Sequence, residues 1–424
     1  MIGPHERFPG AELAVTLLDL WRQQGPVAVR QELKALNPLE RQSCVLLQEL
    51  WSRLEQQPGP RLLVDGIWWS QSHGGISRVW QQIRCCWDLP GLVHPNAPVH
   101  CIPPRGINPL DWRALEASAE VNRREAETWR ADVFLSSWIT STGGSHGKPA
   151  CPELALVHDC IPERGQGATP DQRRLRTRWL LGARRHLAMS AATANDLAQA
   201  LGRSDAAMSW CHPCTAHLFE AQAGDGQAGP DLRQRLGLPE SYVMLPASSA
   251  IGSYKNPELV LEALMLPALQ CHHLLLTGVA ATTQAQRYRE AYPALADRIH
   301  VRAVDDSDLR LLYRHALAVV VPSRVEGFGL PVLEALAAEG TVISTDVPGL
   351  REAGSGAVPL LDPEQPRQLA AWLELLAEPR SQPWMEHHLR NRRQQRLAGL
   401  SPDLVGLVLL ALGRELHQQR RSRP

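Results

Sequence analysis

Lysine is nearly missing from this chain. Among 424 residues and 44 lysines and arginines, the lysines are Lys34, Lys148 and Lys255 alone, so a lysine inside a motif carries extra weight. Excess charge is missing too: 44 acidic residues balance the 44 basic ones and the pI is near 7.3. No global field therefore draws the chain to nucleic acid or an anionic membrane. The nine cysteines are odd in number and lack framework spacing, which fits reduced thiols. The opening "MIGPHERFPGAELAV" lacks the charged-then-apolar pattern of a secretory leader. The apolar run "LVGLVLLALG" at 404–413 is too short to span a bilayer. Internal repeats are absent, and no G-x-G-x-x-G follows the opening strand of either half, which argues against a nicotinamide enzyme. These absences lead us to expect a cytoplasmic chain, with peripheral membrane contact left open.

What is present is alternation. Residues 1–58 carry apolar positions at helical spacing and read as a helical extension ending at "QPGP". Strand-like runs follow at 61–69, 98–104, 131–138, 153–159 and 185–190, with amphipathic helical stretches at 108–129, 170–184 and 191–201. "EAQAGDGQAGPD" at 220–231 has no apolar period and reads as linker. Strand-like runs then resume at 242–248, 272–278, 298–303, 317–323, 341–346 and 357–362. The tail from Trp384 reads as helices, with Ser401 as a cap and Pro402 at a first helical position. This pattern predicts an α/β protein: two doubly wound, Rossmann-like parallel-sheet domains facing a cleft, with helical additions at both ends. The expected bounds are an extension over 1–58, a first domain over 59–212 and a linker over 213–235. A second domain over 236–383 and terminal helices over 384–424 complete the division.

The densest stretch is "SRVEGFGLPVLEALAAEG" at 323–340, between the apolar runs "LAVVV" and "TVISTD". Gly327 and Gly329 permit a tight turn, and Pro331 suits a helix start. Amides of Phe328, Gly329 and Leu330 at a helix N-terminus would suit phosphate. Glu334, one turn in, could accept hydroxyl hydrogen bonds from a ribose diol, and Glu326 could hold the hydroxyls of a second ring. By charge pattern alone, the commoner reading is a surface turn whose Glu334 complements the helix dipole.

Glu326-x7-Glu334 within "PSRVEGFGLPVLEALAAEG" closely resembles the donor-site signature of glycosyltransferase family 4, retaining enzymes of the GT-B fold. "LRLLYRHALAVVVPS" and "TVISTDVPGLREAGSGAVPLLDP" resemble the family's runs into and out of the motif, so the resemblance covers most of 236–363. It implies that Glu326 contacts the transferred sugar, that Glu334 binds the nucleotide ribose, and that backbone from Gly327 to Leu330 holds sugar hydroxyls and diphosphate. "SYKNPELVLEAL" resembles the segment that grips the diphosphate, with Lys255 matching its lysine and Asn256 beside it as a secondary candidate. The family's arginine is missing; Ser248, Ser249 and Ala250 stand where members carry it. That loss could cost on the order of a hundredfold in rate.

In the first half, Gly74 and Gly75 resemble the Gly-Gly loop that faces the donor diphosphate, although a tight strand–helix connection explains them as well. "LVHDCIPE" at 156–163 resembles a His-Asp-x-Ile-Pro stretch in members that include bacterial mannosyltransferases. It makes His158 a candidate at the reacting sugar, with Asp159 as a secondary one. Ser190 in "LAMSAATANDLAQ" reads as a helix cap. "CHPC" at 211–214 lacks a second ligand pair, so no metal is expected. The arginine-rich helices read as solvated faces.

The expected activity is retaining transfer of a hexose, with a lean to mannose, from a nucleotide-diphosphate sugar to a saccharide or lipid-linked hydroxyl. No cofactor is implied, and nucleic acid is not an expected partner. The competing readings are a non-catalytic GT-B protein that binds a sugar nucleotide or partner, favoured by the missing arginine, and a glycoside hydrolase using Glu326 and Glu334.

Overall fold

A computed structural model describes residues 8–70, 74–108, 111–143, 147–204, 208–246, 249–378 and 382–422. The chain forms two compact units, residues 1–213 with 400–424, and residues 214–399. Among the described residues no helix is long and apolar enough to cross a membrane.

The first unit is built on six strands: β1 Leu62–Asp65, β2 Val99–Ile102, β3 Val133–Ser137, β4 Glu153–Val157, β5 Arg185–Ala188 and β6 Ser209–Trp210. They pair in the order β2-β1-β3-β4-β5-β6, all parallel, with Leu62 opposite both Val99 and Val133. Parallel strands covered on both faces need continuous apolar runs, and β3 and β4 are buried at every position. The second unit carries β7 Tyr242–Leu245, β8 His273–Leu276, β9 Ile299–Val301, β10 Ala318–Val321, β11 Val342–Thr345 and β12 Leu360–Leu361. Their order is β12-β11-β10-β7-β8-β9, again all parallel. Its core joins inward residues such as Val243, Leu276, Val320 and Ile343 to helical leucines at 259, 261 and 373.

Strand order reverses between β1 and β3 in the first sheet and between β7 and β10 in the second. Outside the carboxyl ends of such strand pairs, diverging loops leave a crevice in which ligands bind.

The apolar run at 404–413 is interior. It lies in the helix Leu404–Arg421, in which every residue from Leu404 to Gly413 is buried. Trp87 donates its indole N–H to the Gly406 carbonyl at 3.1 Å. The helices Ala11–Gln24, Pro26–Ala35, Pro38–Ser43 and Val45–Leu54 precede β1 in the first unit. Glu49 fastens them: its buried carboxylate accepts from Arg53 at 2.6 Å and from Arg414 of the terminal helix. Arg22 reaches Asp403 at 2.6 Å.

Three expectations are corrected. The stretch 213–235 is largely ordered: Ala216–Phe219 and Asp225–Gln227 are 3-10 turns and Gly229–Leu236 is a helix, all in the second unit. The terminal helices divide, Gln382–Ala398 going with the second unit and Leu404–Arg421 with the first. The last helix starts at Leu404, and the Ser401 hydroxyl instead accepts from the Asp403 amide, closing a turn ahead of it. Ser190 caps its helix as expected, accepting from the Thr193 amide at 2.9 Å.

His186 lies buried in β5 with Nε2 2.8 Å from the Leu180 carbonyl, and burial holds its pKa down from the ordinary 6.5 to about 4. The unfolded chain therefore binds a proton there that the folded chain refuses. The associated stability is complete above pH 6.5 and is lost as pH falls towards 4, about 2 kcal/mol of it by pH 5. Urea unfolding at pH 7 and pH 5 should show this fall in the wild type, reduced by about 2 kcal/mol in His186→Gln. An equal fall in both proteins would refute the assignment.

Candidate active site

In the second unit the site forms where β7 and β10 lie side by side. The loop after β7 carries Lys255 and the turn after β10 carries Glu326, and the two side chains form an ion pair. The Ser323 hydroxyl donates to the same Glu326 oxygen at 2.8 Å, fixing the carboxylate over the strand end. Lys255 keeps about a quarter of its side-chain surface exposed and Glu326 about an eighth, so both reach solvent.

Asn256 explains how the lysine is placed. It is fully buried, with φ of +54°, a left-handed conformation that asparagine tolerates. Its side-chain amide donates to the Pro322 carbonyl at 3.0 Å and the Pro363 carbonyl at 2.8 Å. The Arg324 amide donates to the Tyr254 carbonyl at 2.7 Å. The loops after β7, β10 and β12 are thereby stitched together. Asn256, a secondary candidate in the sequence, positions Lys255 from beneath.

The glycine turn is clamped from the other side. Gly329 has φ of +118°, and a Cβ there would lie 2.6 Å from Leu350 Cδ2. Gly349, in the helix Pro348–Gly354, faces the Glu326 backbone so closely that a Cβ would stand 2.4 Å from its carbonyl oxygen. Sequence reasoning passed over Gly349, although its place in "DVPGLRE" just after a strand was visible. Gly327, Phe328 and Gly329 are buried, and the helix Leu330–Ala337 begins above them with Pro331 in its first turn.

Glu334 points inward and is 2% exposed. The Tyr313 hydroxyl donates to one carboxylate oxygen at 3.1 Å and Thr215 to the other at 3.2 Å. Glu326 and Glu334 therefore occupy different environments, one an ion-paired group at the surface and the other a buried acceptor.

Where the family carries an arginine, Ser248 lies outside the described residues and Ser249 is held by Tyr288. The Ser249 amide donates to the Tyr288 hydroxyl at 3.3 Å, and that hydroxyl donates back to the Ser249 carbonyl. Arg324 stands at the end of β10, but its guanidinium pairs with Glu364.

In the first unit, Trp138 follows β3 and His158 follows the neighbouring β4, beside the β1–β3 reversal. Gly74 and Gly75 are exposed at the start of the helix Gly75–Trp87. His158 Nε2 lies 2.9 Å from the Ser137 hydroxyl. Burial, with the positive charge of Arg176 adding to it, lowers the His158 pKa to about 3, so the imidazole is neutral near pH 7. Asp159 turns the chain after it by accepting the Ile161 amide at 3.0 Å. Sequence reasoning missed two residues here: Trp138 outright, and Arg176 because its arginine-rich helix reads as a solvated face, an expectation its burial corrects. Arg176 is fully buried, donating to Glu163 at 2.7 Å and to the Asp159 carbonyl at 2.5 Å. Its guanidinium lies 4.5 Å from the ring of Trp138, whose φ of +57° is costly for a bulky residue, about 1–3 kcal/mol.

Residues 230–395 match the family described as "Glycosyl transferases group 1". Over this segment the chain is similar to the group 1 glycosyltransferases. A D-inositol 3-phosphate glycosyltransferase of Thermomonospora curvata is 34% identical over 198 residues, 43% of this chain and 43% of that protein. Across three relatives of that description, the chain spans 31%, 43% and 48% of the relative's length. Sucrose-phosphate synthase from Thermosynechococcus elongatus shares the fold at a TM-score of 0.59 and 19% identity, over 85% of this chain and 98% of that one. Anabaena Alr3699/HepE, solved with UDP and glucose, shares it at 0.54 and 14%, with the same coverage. The two parallel sheets and these likenesses make the fold GT-B, with two Rossmann-like domains.

Two substitutions test the scaffold of this site. Asn256→Ala removes the donor from one buried and one part-buried carbonyl and should lower the unfolding free energy by about 2 kcal/mol in urea. Gly349→Ala pushes on a backbone that cannot yield cheaply and should cost about 1–3 kcal/mol. Wild-type stability in both variants would show that the loops are not held in this way.

Proposed function

We propose that this chain is a retaining glycosyltransferase that moves a hexose from a nucleotide-diphosphate sugar to a hydroxyl of a saccharide or lipid-linked acceptor. The observation that carries the reading is the Lys255–Glu326 pair at the strand-order reversal of a group 1 glycosyltransferase domain. A lysine held there suits a diphosphate, and a carboxylate in the next turn suits sugar hydroxyls.

In the unliganded arrangement the two groups neutralise each other. Donor binding exchanges that contact for two others: Lys255 turns to the diphosphate and Glu326 to the sugar. As the anomeric bond breaks, negative charge grows on the diphosphate, and Lys255 stabilises it most at that moment. Retention without a protein nucleophile assigns deprotonation of the acceptor to the departing diphosphate. The chemistry requires no metal. Glu334 serves the ribose once a hydroxyl of the nucleoside takes over a hydrogen bond now made by Tyr313 or Thr215. Neutral His158 offers the sugar a hydrogen bond without competing for the diphosphate. The strained Trp138 beside it supports placing the acceptor at the β1–β3 reversal, because strain of this kind gathers at ligand sites.

For the donor, the UDP and glucose bound by the Anabaena neighbour favour a uridine nucleotide, while the His158–Asp159 stretch leans to mannose. A hydrolase acting through Glu326 and Glu334 is disfavoured, since a carboxyl 2% exposed between Tyr313 and Thr215 does not face a glycosidic bond. The non-catalytic reading keeps one observation in its favour, the absence of arginine at 248–250.

Thermal denaturation against a panel of nucleotide-diphosphate sugars decides between them. A selective donor at about 100 times its dissociation constant stabilises by about 2.7 kcal/mol, a shift of roughly 5–10 °C. The shift should vanish in Glu334→Ala, and Glu326→Ala should fold normally yet transfer no sugar. A shift without turnover in the presence of saccharide and lipid-linked acceptors would establish the non-catalytic reading. No shift with any donor would remove the sugar-nucleotide site altogether.

A further inference from the structure

A second cavity lies in the first unit, at the opposite ends of the strands from His158. Its floor consists of the residues that immediately precede three neighbouring strands: Arg61 before β1, Pro98 before β2 and Asp132 before β3. Its wall is the last turns of the helix Leu404–Arg421, contributing Arg414, His417 and Arg421. The space is about 570 Å³, enough for a small metabolite.

Its charge is unbalanced. Asp132 accepts the Arg61 amide at 2.9 Å and lies 3.3 Å from His417 Nδ1. Glu49 answers Arg53 and Arg414 together. Among the side chains that line the cavity, three guanidiniums (Arg61, Arg414, Arg421) meet one carboxylate (Asp132), an excess of two positive charges, while behind them Glu49 is shared between Arg414 and Arg53. In a chain with zero net charge this local excess asks for an explanation. Arg61 supplies the sharpest sign: its guanidinium stacks 4.6 Å from the Trp129 ring, and its Nε is buried without a hydrogen-bond partner. A buried donor left unmatched costs free energy, so the Arg61 guanidinium is not fully satisfied where it stands beside the cavity.

We infer that this cavity binds a small phosphate monoester. A dianion matches the excess of two charges, and guanidinium forks suit phosphate oxygens. Pro58, Pro60, Pro95 and Pro98 give the remaining wall an apolar surface against which a sugar-sized body can lie. Because one wall is the terminal helix and the floor is three strand starts, the bound anion bridges the sheet to that helix.

Isothermal titration calorimetry of the full chain with glucose 6-phosphate tests this. The wild type should bind one equivalent, and glucose should not bind. Arg61→Gln should weaken binding at least about tenfold. Arg421→Gln, at an exposed position where the fold is not at stake, should weaken it in the same direction. Asp132→Asn should tighten it by removing the opposing charge, a gain that a merely structural role would not produce. Lys255→Gln should leave it unchanged, which separates this site from the proposed donor site. Absence of binding, full affinity in the Arg61→Gln/Arg421→Gln double variant, or loss of binding in Lys255→Gln would each overturn the inference. Sedimentation with vesicles containing phosphatidic acid, without binding of glucose 6-phosphate, would overturn it in favour of a lipid headgroup.

Discussion

The ion pair between Lys255 and Glu326 joins residues 71 positions apart in sequence, and the chemistry of the second unit depends on that junction. It exists because β7 and β10 are neighbours at the place where strand order reverses. Neither side chain gets there by its own preference. The lysine is carried by a loop pinned through Asn256, and the carboxylate by a turn pressed against Gly349. Both restraints act on the backbone, the Asn256 side-chain amide on two carbonyls and Gly349 against the Glu326 chain, so the charges can exchange partners while the scaffold beneath stays fixed. A site that swaps one ion pair for a ligand needs this division between movable tips and immovable roots.

The first unit solves a different problem with the same topology. At the β1–β3 reversal it gathers groups with reduced or answered charge. Asp65, at the end of β1, is buried and receives Arg105 at 3.1 Å and Asn122 at 2.9 Å. Burial raises its pKa, with the positive Arg105 working the other way. Arg176 is matched by Glu163 and a carbonyl, and His158 is neutral. The result is polar but electrically quiet, whereas the second unit carries a solvent-reaching ion pair at its reversal.

Much of this was legible from the residues. Buried parallel strands must be apolar throughout, so runs such as "LAVVV" and "TVISTD" announced themselves, and the glutamates in the turn and helix between them stood out through the family resemblance. What escaped notice depended on distant partners. The two-residue strand Ser209–Trp210 is too short to show a period. The stretch 220–231 looked loose because its order comes from elsewhere: Asp225 is buried against Arg310 at 3.0 Å, and the Ala221 amide donates to the Ala337 carbonyl. Nothing local says that Asn256 reaches Pro322 and Pro363, or that Asp403 is claimed by Arg22, 381 residues earlier. The direction of Glu334 was equally hidden, since Tyr313 and Thr215 arrive from separate parts of the chain.

The helix Leu404–Arg421 has a consequence for how the protein is made. It supplies interior surface to a unit whose other residues are 1–213, with the whole second unit emerging from the ribosome in between. During synthesis the first unit must wait, with the surfaces that will cover Leu404–Leu412 facing water and Glu49 lacking Arg414. The second unit, continuous from Cys214 to Gly399, can be finished while the first is still open. The part translated first is thus the last to close, and the nascent chain carries an adhesive face for nearly half its length of translation, the interval in which chaperone protection matters most.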